Sequence, residues 1–206
     1  MKTDIRNILP PPSKIVCLAY NYPDLPGDGA GPLVFLKPPS SIVWGDERIA
    51  IPSDRQTWAE VELALVIGST ARRVRLEDAM DYVFGVTVAN DVTAENIAGR
   101  DWHLAASKGL DTFCPIQPMV ETSIPQSIDL TARIAGELTQ SGNTADRIWG
   151  NAETICHLSH MMTLLPGDLI LTGTPGGAQN SILTVGDVVI VEATGIGKLV
   201  NWVVQA

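Results

Sequence analysis

Glycine and proline interrupt this 206-residue chain so often that no long regular element fits between them. The sequence has 18 glycines and 14 prolines, and its apolar runs are short, as at residues 14–18, 33–36 and 60–67. Short runs bounded by turn residues are typical of β-strands, whereas amphipathic helices need ten or more residues. Because 45% of the residues are hydrophobic, such strands can form a packed core. The chain is therefore predicted to be a mainly β, α+β protein.

Local patterns predict the elements of one domain at residues 14–206, preceded by a short leader at residues 1–13. The helix candidates are residues 76–82, a helix from Ala94 capped by Thr93, and residues 153–165, whose apolar residues recur at helical spacing. Residues 99–113 are predicted to be loop with one helical turn. Further strands are predicted at residues 83–89, 128–134, 169–172, 188–192 and 199–204, and a hairpin at residues 41–51.

Charge and cysteine content exclude several classes of function. The formal net charge is −9, so the chain repels a phosphate backbone, and non-specific nucleic-acid binding and attachment to an anionic membrane are not expected. No apolar segment has the length of a membrane span or of a signal peptide. The cysteines, Cys17, Cys114 and Cys156, are odd in number and far apart, which favours reduced thiols in the cytoplasm.

Two predicted strands deliver carboxylates to one region. Glu60 and Glu62 lie two residues apart and share a strand face, and the same face continues with the apolar residues Ala64 and Val66. A second apolar strand ends at Asp91. Taken separately, a solvent-exposed strand face would explain Glu60 and Glu62, and a turn that ends a strand would explain Asp91. Carboxylates that enter a core must however be neutralised by a cation or protonated, and oxygen ligands suit a hard divalent ion.

Three other motifs leave their interpretation open. Lys108 is flanked by small residues, and an ordinary solvent-exposed lysine would also fit this position. The Gly-Thr-Pro-Gly-Gly turn at residues 173–177 follows a strand but lacks the Gly-Lys-Ser/Thr ending of a nucleotide-binding loop. His157 and His160 have the helical spacing of a zinc pair, but no third ligand of the right type lies near them in sequence.

Taken together, these stretches resemble the fumarylacetoacetate hydrolase family, whose catalytic domain is shared by acylpyruvate hydrolases, oxaloacetate decarboxylases and isomerase/decarboxylases of aromatic catabolism. The similarity covers roughly residues 14–204, and the motifs come in the family's order. The matching stretches are residues 34–41, 60–64, 88–93, 107–108 with 113–115, 142–144, and 166–168 with 173–175.

The resemblance implies a compact β-roll with few short helices and an enzyme that binds Mg²⁺ or Mn²⁺. It implies that Glu60, Glu62 and Asp91 hold the metal, that Lys108 contacts the metal-bound substrate, and that Thr174 contacts the substrate from the Gly-Thr-Pro turn. The substrate would be a small 2-oxo or β-dicarbonyl acid that reacts through a metal-bound enolate. A homodimer is also expected from this resemblance.

The chain departs from the family at the lid and after Asp91. Family hydrolases carry a lid that reads Asn-Tyr-x-x-His-x-x-Glu, and Asn21 and Tyr22 match its beginning and are expected to contact substrate. Leu25 stands at the histidine position and Asp28 at the glutamate position. The family's common Ala-Arg-Asp is Ala-Glu-Asn at residues 94–96. Arg100 is then the nearest arginine able to pair with a distal carboxylate.

Leucine cannot accept a proton, so the usual general base for hydrolysis is missing. Decarboxylation and keto–enol or double-bond isomerisation need only the metal and a proton shuttle, and one of these is the favoured reaction. Carbon–carbon hydrolysis is the alternative, because Asp24 or Asp28 could hold the water, and Asp28 is kept as a candidate catalytic residue. An alternative of another class is a non-catalytic, metal-binding family member or partner subunit.

Overall fold

The computed structural model describes residues 2–23 and 31–206. Short strands dominate this part of the chain, as its glycine and proline content predicts. In chain order the strands are β1 (Lys2–Asp4), β2 (Ile15–Ala19), β3 (Leu33–Lys37), β4 (Ile42–Trp44), β5 (Arg48–Ile51), β6 (Thr57–Trp58), β7 (Val61–Ile67), β8 (Val83–Asn90), β9 (Thr93–Ala94), β10 (Cys114–Ile116), β11 (Met119–Glu121), β12 (Asp129–Ile134), β13 (Glu137–Asn143), β14 (Leu169–Leu171), β15 (Val188–Ala193) and β16 (Gly197–Gln205).

Helices are few and short. The α-helices of the described residues are α1 (Ala105–Lys108) and α2 (Asn151–Met161), and 3₁₀ turns occur at Ile5–Asn7, Pro39–Ser41, Leu76–Tyr82, Thr144–Asp146 and Ala178–Asn180. The predicted helix at residues 153–165 is α2, which ends at Met161. It ends there because Leu164 instead forms backbone hydrogen bonds with Ala71 in an isolated bridge.

Two large sheets and one small one organise the domain. The first sheet has nine strands, with β1-β11-β8-β7-β14-β2-β3 in spatial order and with β10 pairing with both β8 and β4. The second has five strands in the order β13-β12-β15-β16-β5, and β6 and β9 form a separate pair. The mainly β fold with few short helices that the sequence predicts is confirmed.

Strand β7 is buried on both faces and fixes the position of the site. Leu63 and Leu65 point into the main core, which the second sheet completes with residues such as Leu130 and Val191. Ala64 and Val66 point into a second core on the opposite face. Because side chains alternate along a strand, Glu62 lies on this second face, and it is buried, as the sequence pattern predicts.

Two local predictions are wrong, both because the partner strand is distant in sequence. The expected hairpin at residues 41–51 does not form, since β4 pairs in parallel with β10 and β5 pairs in parallel with β16. Thr93 does not cap a helix at Ala94. Both residues belong to β9, which pairs with β6 through Trp58 and Thr57.

The predicted leader and strand β13 show further long-range pairing. Residues of β1, inside the leader at residues 1–13, pair with β11, and Ile5 is buried in the second core. Strand β13, which the sequence pattern did not indicate, pairs with β12 in a hairpin that turns at Gly136. No helix of the described residues is long and apolar enough to cross a membrane.

Candidate metal centre

Antiparallel pairing of β7 and β8 brings three carboxylates together. Val61 lies opposite Asn90, so Glu60 before β7 and Asp91 after β8 are neighbours, and the Asp91 backbone N–H donates to the Glu60 carbonyl oxygen at 2.9 Å. Glu62 lies on the same face as Glu60. One carboxylate oxygen from each of the three residues lies within 4.8 Å of the others. The predicted metal ligands thus form one cluster.

Two lysines reach this cluster from different elements. Lys108 at the end of α1 donates to Glu60 Oε2 at 2.8 Å and to Asp91 Oδ2 at 2.6 Å. Lys37 at the end of β3, whose side chain is fully buried, donates to Asp91 Oδ1 at 2.5 Å and to the Val92 carbonyl oxygen at 2.9 Å. Asp91 is therefore bound by an ammonium group on each carboxylate oxygen.

The charges of the cluster are not balanced. Three carboxylates and two ammonium groups leave one negative charge in excess. Within residues 2–23 and 31–206, the carboxylate without an ammonium partner is that of Glu62, which accepts from the Gly173 backbone N–H at 2.6 Å. Burial, and then the charge of Asp91, raise the pKa of Glu62 well above its usual value. The neighbouring lysines outweigh burial at Asp91 and lower its pKa. In the same way, Asp91 and Glu60 raise the pKa of Lys108 despite burial.

This donor set fits a hard divalent cation. Magnesium and manganese prefer carboxylate oxygens and retain open positions for substrate, and the cluster offers three such ligands with one charge left to neutralise. The thiols of Cys17 and Cys114 lie in the second core, and burial raises the pKa of both. They are therefore neutral and poor ligands. The residues present fit the metal that the sequence motifs imply.

The Gly-Thr-Pro turn after β14 forms one wall of the centre. Gly173 has a φ of +97° and its N–H donates to Glu62, and a Cβ at this position would lie 2.8 Å from the Asn21 Cβ. A side chain here would both strain the backbone and displace Asn21. The turn thus needs glycine at residue 173 in order to position Glu62.

Thr174 lies at the centre, but its hydroxyl group already has two protein partners. Thr174 Oγ1 donates to the Val61 carbonyl oxygen at 2.9 Å and accepts from Gln140 Nε2 at 2.9 Å. Gln140 also accepts from the Val61 N–H through Oε1. One lone pair of Thr174 remains for a ligand. Gln140 on β13 was missed because the sequence pattern did not indicate that strand.

Asn21 links the segment at Thr172 to the segment at Trp149 through side-chain hydrogen bonds. Its Nδ2 donates to the carbonyl oxygens of Thr172 and Trp149, at 2.8 and 3.0 Å, and its Oδ1 accepts from the Trp149 N–H at 2.8 Å. Both of its amide hydrogens are thus used within the protein. Contact between Asn21 and substrate stays a prediction, and the structure gives it a positioning role.

The other predicted residues lie in different surroundings. Tyr22 is buried, and burial raises the pKa of its hydroxyl group. Arg100 is exposed beside the turn at residues 97–99. The His157 ring lies against the Trp149 ring at a tilt of 41°, with centroids 4.3 Å apart, and both His157 and His160 are exposed. Asp24, Leu25 and Asp28 lie outside the described residues.

Comparison with known proteins identifies the family. A family model, the C-terminal domain of fumarylacetoacetate (FAA) hydrolase, matches residues 14–204. The chain belongs to the fumarylacetoacetate hydrolase family. A human relative, oxaloacetate tautomerase FAHD2A, mitochondrial, is 37% identical over 216 residues, which cover 94% of this chain and 67% of the human protein.

Solved structures of the family have the same fold. A 2-hydroxyhepta-2,4-diene-1,7-dioate isomerase from Mycobacterium marinum has a TM-score of 0.85 and 37% identity, covering 94% of this chain and 75% of the isomerase. A fumarylpyruvate hydrolase from Pseudomonas aeruginosa, solved with Mn²⁺ and pyruvate, has a TM-score of 0.87 and 28% identity, covering 95% of this chain and 91% of the hydrolase. These relatives are enzymes, and so is this member of the family, which argues against the non-catalytic alternative.

Lys37 is a residue of the centre that the sequence analysis does not predict. Its substitution is expected to destabilise the metal-free protein. In Lys37→Met, one oxygen of the buried Asp91 carboxylate loses its ammonium partner. Breaking a buried ion pair from one side typically costs about 3–5 kcal/mol. Urea denaturation without metal should show a loss of this size, with Lys198→Met, at an exposed residue of β16, as the control. Equal stability of wild type and Lys37→Met would contradict the pairing.

Proposed function

We propose that the chain is a Mg²⁺- or Mn²⁺-dependent enzyme that converts a small 2-oxo or β-dicarbonyl acid to its enolate and returns a proton to it. The favoured reactions are keto–enol or double-bond isomerisation and decarboxylation. The observation that carries the proposal is the buried carboxylate cluster with one uncompensated charge, beside which Lys108 lies. The names of the human and Mycobacterium marinum relatives support an isomerisation.

The protein groups supply charge and orientation around the substrate. Glu60, Glu62 and Asp91 would hold the divalent ion, which would supply Lewis acidity to the keto group of the acid. Lys108 has three N–H donors, and two of them bind Glu60 and Asp91. The third is left to stabilise the negative charge that develops on the keto oxygen. Thr174 can accept a hydrogen bond from the hydroxyl group of the enol form of the substrate through its remaining lone pair.

Carbon–carbon hydrolysis is the second candidate. It is favoured by the structural similarity to the fumarylpyruvate hydrolase of Pseudomonas aeruginosa. Against it stands Leu25, at the position where the resemblance places the histidine that activates water. Loss of a general base typically lowers the rate by ~10²–10⁴-fold.

A side-by-side assay tests the proposal. With Mg²⁺ or Mn²⁺, wild type should catalyse solvent deuterium exchange at the carbon next to the keto group of oxaloacetate, or its enol–keto conversion or decarboxylation. It should hydrolyse acetylpyruvate at least about 100-fold more slowly. Leu25→His should raise only the hydrolysis rate. Efficient hydrolysis of acetylpyruvate by wild type would overturn the preference for isomerisation or decarboxylation, and no turnover of any of these acids would overturn the proposal.

The chain is also proposed to be a cytoplasmic homodimer that acts in the breakdown of aromatic compounds. Strand β3 is at one end of the nine-stranded sheet, and Leu33 and Leu36 on it are 47% and 49% exposed. An exposed apolar strand edge is a natural interface with a second copy. Light scattering at micromolar concentration should therefore give about twice the 22.0 kDa mass of one chain. A monomeric mass would contradict this expectation.

A further inference from the structure

Strand β7 loses its neighbouring strand β14 at a residue that lies between two of the clustered carboxylates. Backbone groups of alternate residues point to one side of a strand, so those of Leu63 and Val61 both point toward β14. The Leu63 carbonyl oxygen still accepts from the Thr172 N–H at 3.1 Å. Gly173, with its φ of +97°, then turns the chain out of the sheet before it reaches Val61.

Two side chains take the place of the missing strand. Gln140 Oε1 accepts from the Val61 N–H at 3.1 Å, and the Thr174 hydroxyl group donates to the Val61 carbonyl oxygen at 2.9 Å. Gln140 Nε2 donates to Thr174 Oγ1 at 2.9 Å, which closes a ring of three hydrogen bonds. Val61 is fully buried, and a buried backbone group without a partner costs about 1–3 kcal/mol. The ring therefore stabilises the backbone at Val61.

The orientation of the Gln140 amide group is fixed by groups that have only one possible role. The Val61 N–H can only donate, so Oε1 faces it. The Pro175 carbonyl oxygen can only accept, so Nε2 is the atom that donates to it, at 3.0 Å. Gln140 is 1% exposed, and its amide oxygen and both amide hydrogens are used within the protein. Its amide group thus holds β7 and the Gly-Thr-Pro turn together.

Strand β13, which carries Gln140, approaches this turn very closely. Gly142 lies two residues after Gln140 and therefore on the same face of β13. A Cβ at Gly142 would lie 2.4 Å from the Pro175 Cβ, so only glycine allows this approach. The close contact at Gly142 keeps the Gln140 amide group within hydrogen-bonding distance of both the turn and β7.

Val61 stands between Glu60 and Glu62, so its backbone fixes these two carboxylates relative to each other. On the side of β8, the Glu60 N–H donates to Asn90 Oδ1 at 2.9 Å. On the side of β14, the ring through Gln140 holds this backbone. Mg²⁺ demands a nearly ideal octahedral arrangement of ligands, whereas Ca²⁺ accepts a larger and more flexible one. Rigid placement of the two carboxylates therefore matters more for Mg²⁺ than for Ca²⁺.

We propose that Gln140 is a positioning residue of the carboxylate cluster, and that the rigidity it provides shifts the selectivity of the centre toward Mg²⁺ and Mn²⁺ and away from Ca²⁺. The inference rests on the proposed function, which places a divalent ion at Glu60, Glu62 and Asp91. It assigns part of the choice of ion to a residue that supplies no ligand atom.

Calorimetry with Mg²⁺, Mn²⁺ and Ca²⁺ tests this role without turnover. Gln140→Met keeps the length of the side chain and removes its hydrogen bonds. It should lower the affinities for Mg²⁺ and Mn²⁺ by about 10- to 100-fold, as is typical for groups that orient metal ligands. The Ca²⁺ affinity should fall less, so that the ratio of Mg²⁺ to Ca²⁺ affinity falls by at least about threefold. Gln126→Met, at an exposed residue between β11 and β12, is the matched control and should keep the wild-type ratio.

The affinity ratio separates positioning from a loss of stability. Partial unfolding would lower the apparent affinity for each ion by the same factor and leave the ratio unchanged. An unchanged ratio in Gln140→Met would therefore overturn the inference. If thermal melting shows that this variant does not fold, Gln140→Glu replaces it, since a carboxyl group still accepts from Val61 but donates at most one hydrogen bond. Its ratio should fall by at least about twofold, and an unchanged ratio would again overturn the inference.

The same measurements distinguish failure of this inference from failure of the proposed function. Wild type that binds none of the three ions would overturn both. Tight Mg²⁺ binding with a ratio that Gln140→Met leaves unchanged would overturn only the role of Gln140. A changed ratio in an enzyme that turns over no 2-oxo acid would support the role of Gln140 and contradict the proposed reaction.

Discussion

Glu62→Gln is expected to abolish Mg²⁺ binding and activity while making the metal-free protein more stable. Glu62 is 1% exposed, and no ammonium group within the described residues binds its carboxylate. Without metal, the negative charge of Glu62 therefore destabilises the folded protein, because no cation compensates it. Removing that charge should raise the free energy of unfolding of the metal-free protein by about 1–3 kcal/mol. The same change removes a ligand, so that the protein no longer gains stability from Mg²⁺.

The dependence of this effect on pH follows from the direction of the pKa shift. Burial and then the Asp91 charge raise the pKa of Glu62 in the folded protein above the usual value of 4.5. A raised pKa means that the folded state holds the proton more tightly than the unfolded state, so that stability is lost as the pH rises. The advantage of metal-free Glu62→Gln over wild type should thus be absent below pH 4.5 and grow above it, up to the folded-state pKa.

Thermal unfolding with and without Mg²⁺ measures both halves of the prediction. At a concentration of 100 times its dissociation constant, Mg²⁺ should stabilise wild type by about 2.7 kcal/mol. It should not stabilise Glu62→Gln. Glu137→Gln, at an exposed residue of β13, provides the matched control and should behave like wild type. Undiminished Mg²⁺ binding by Glu62→Gln in calorimetry would refute the assignment of the metal centre.

The carboxylate cluster could be predicted because the information is local. Glu60 and Glu62 share a face through the two-residue period of a strand, and the apolar residues that follow them on that face indicate burial. Asp91 stands at the end of a strongly apolar strand. Antiparallel pairing of two consecutive long strands then brings these ends together without further assumptions.

Pairings between distant strands could not be predicted in the same way. The local pattern at β4 and β5 predicts a hairpin, yet each strand pairs with a strand from the second half of the chain. A local pattern reports that a strand exists but carries no information on its partner. The same limit hid the role of Gln140, since its contacts with the centre depend on how β13 packs against the turn after β14.

Lys37 shows an intermediate case. It follows Phe35 by two residues, so both side chains lie on one face of β3, and both are buried. A lysine on the buried face of an apolar strand indicates an internal carboxylate partner. That signal is in the sequence, although it does not tell which of the carboxylates is the partner.

Lys108→Met is expected to lower kcat by about 10²–10³-fold while Mg²⁺ binding is retained. The loss corresponds to the removal of one preorganised donor to a developing oxyanion. Methionine has a similar length and no charge, so the excess negative charge of the centre rises from one to two. Affinity for a divalent cation should therefore be equal or higher in the variant, because repulsion by the ammonium group is gone.

Opposite effects on binding and catalysis distinguish this role of Lys108 from a structural one. Without metal, the variant leaves Glu60 and Asp91 short of a cation and should be less stable than wild type. Saturating Mg²⁺ should restore most of that stability but not the activity. Calorimetry with Mg²⁺, thermal melting and steady-state kinetics on one preparation make the comparison, with Lys198→Met as the exposed control. If activity returned together with stability on addition of Mg²⁺, Lys108 would serve only to hold the carboxylates in place, and the negative charge on the substrate would need another donor.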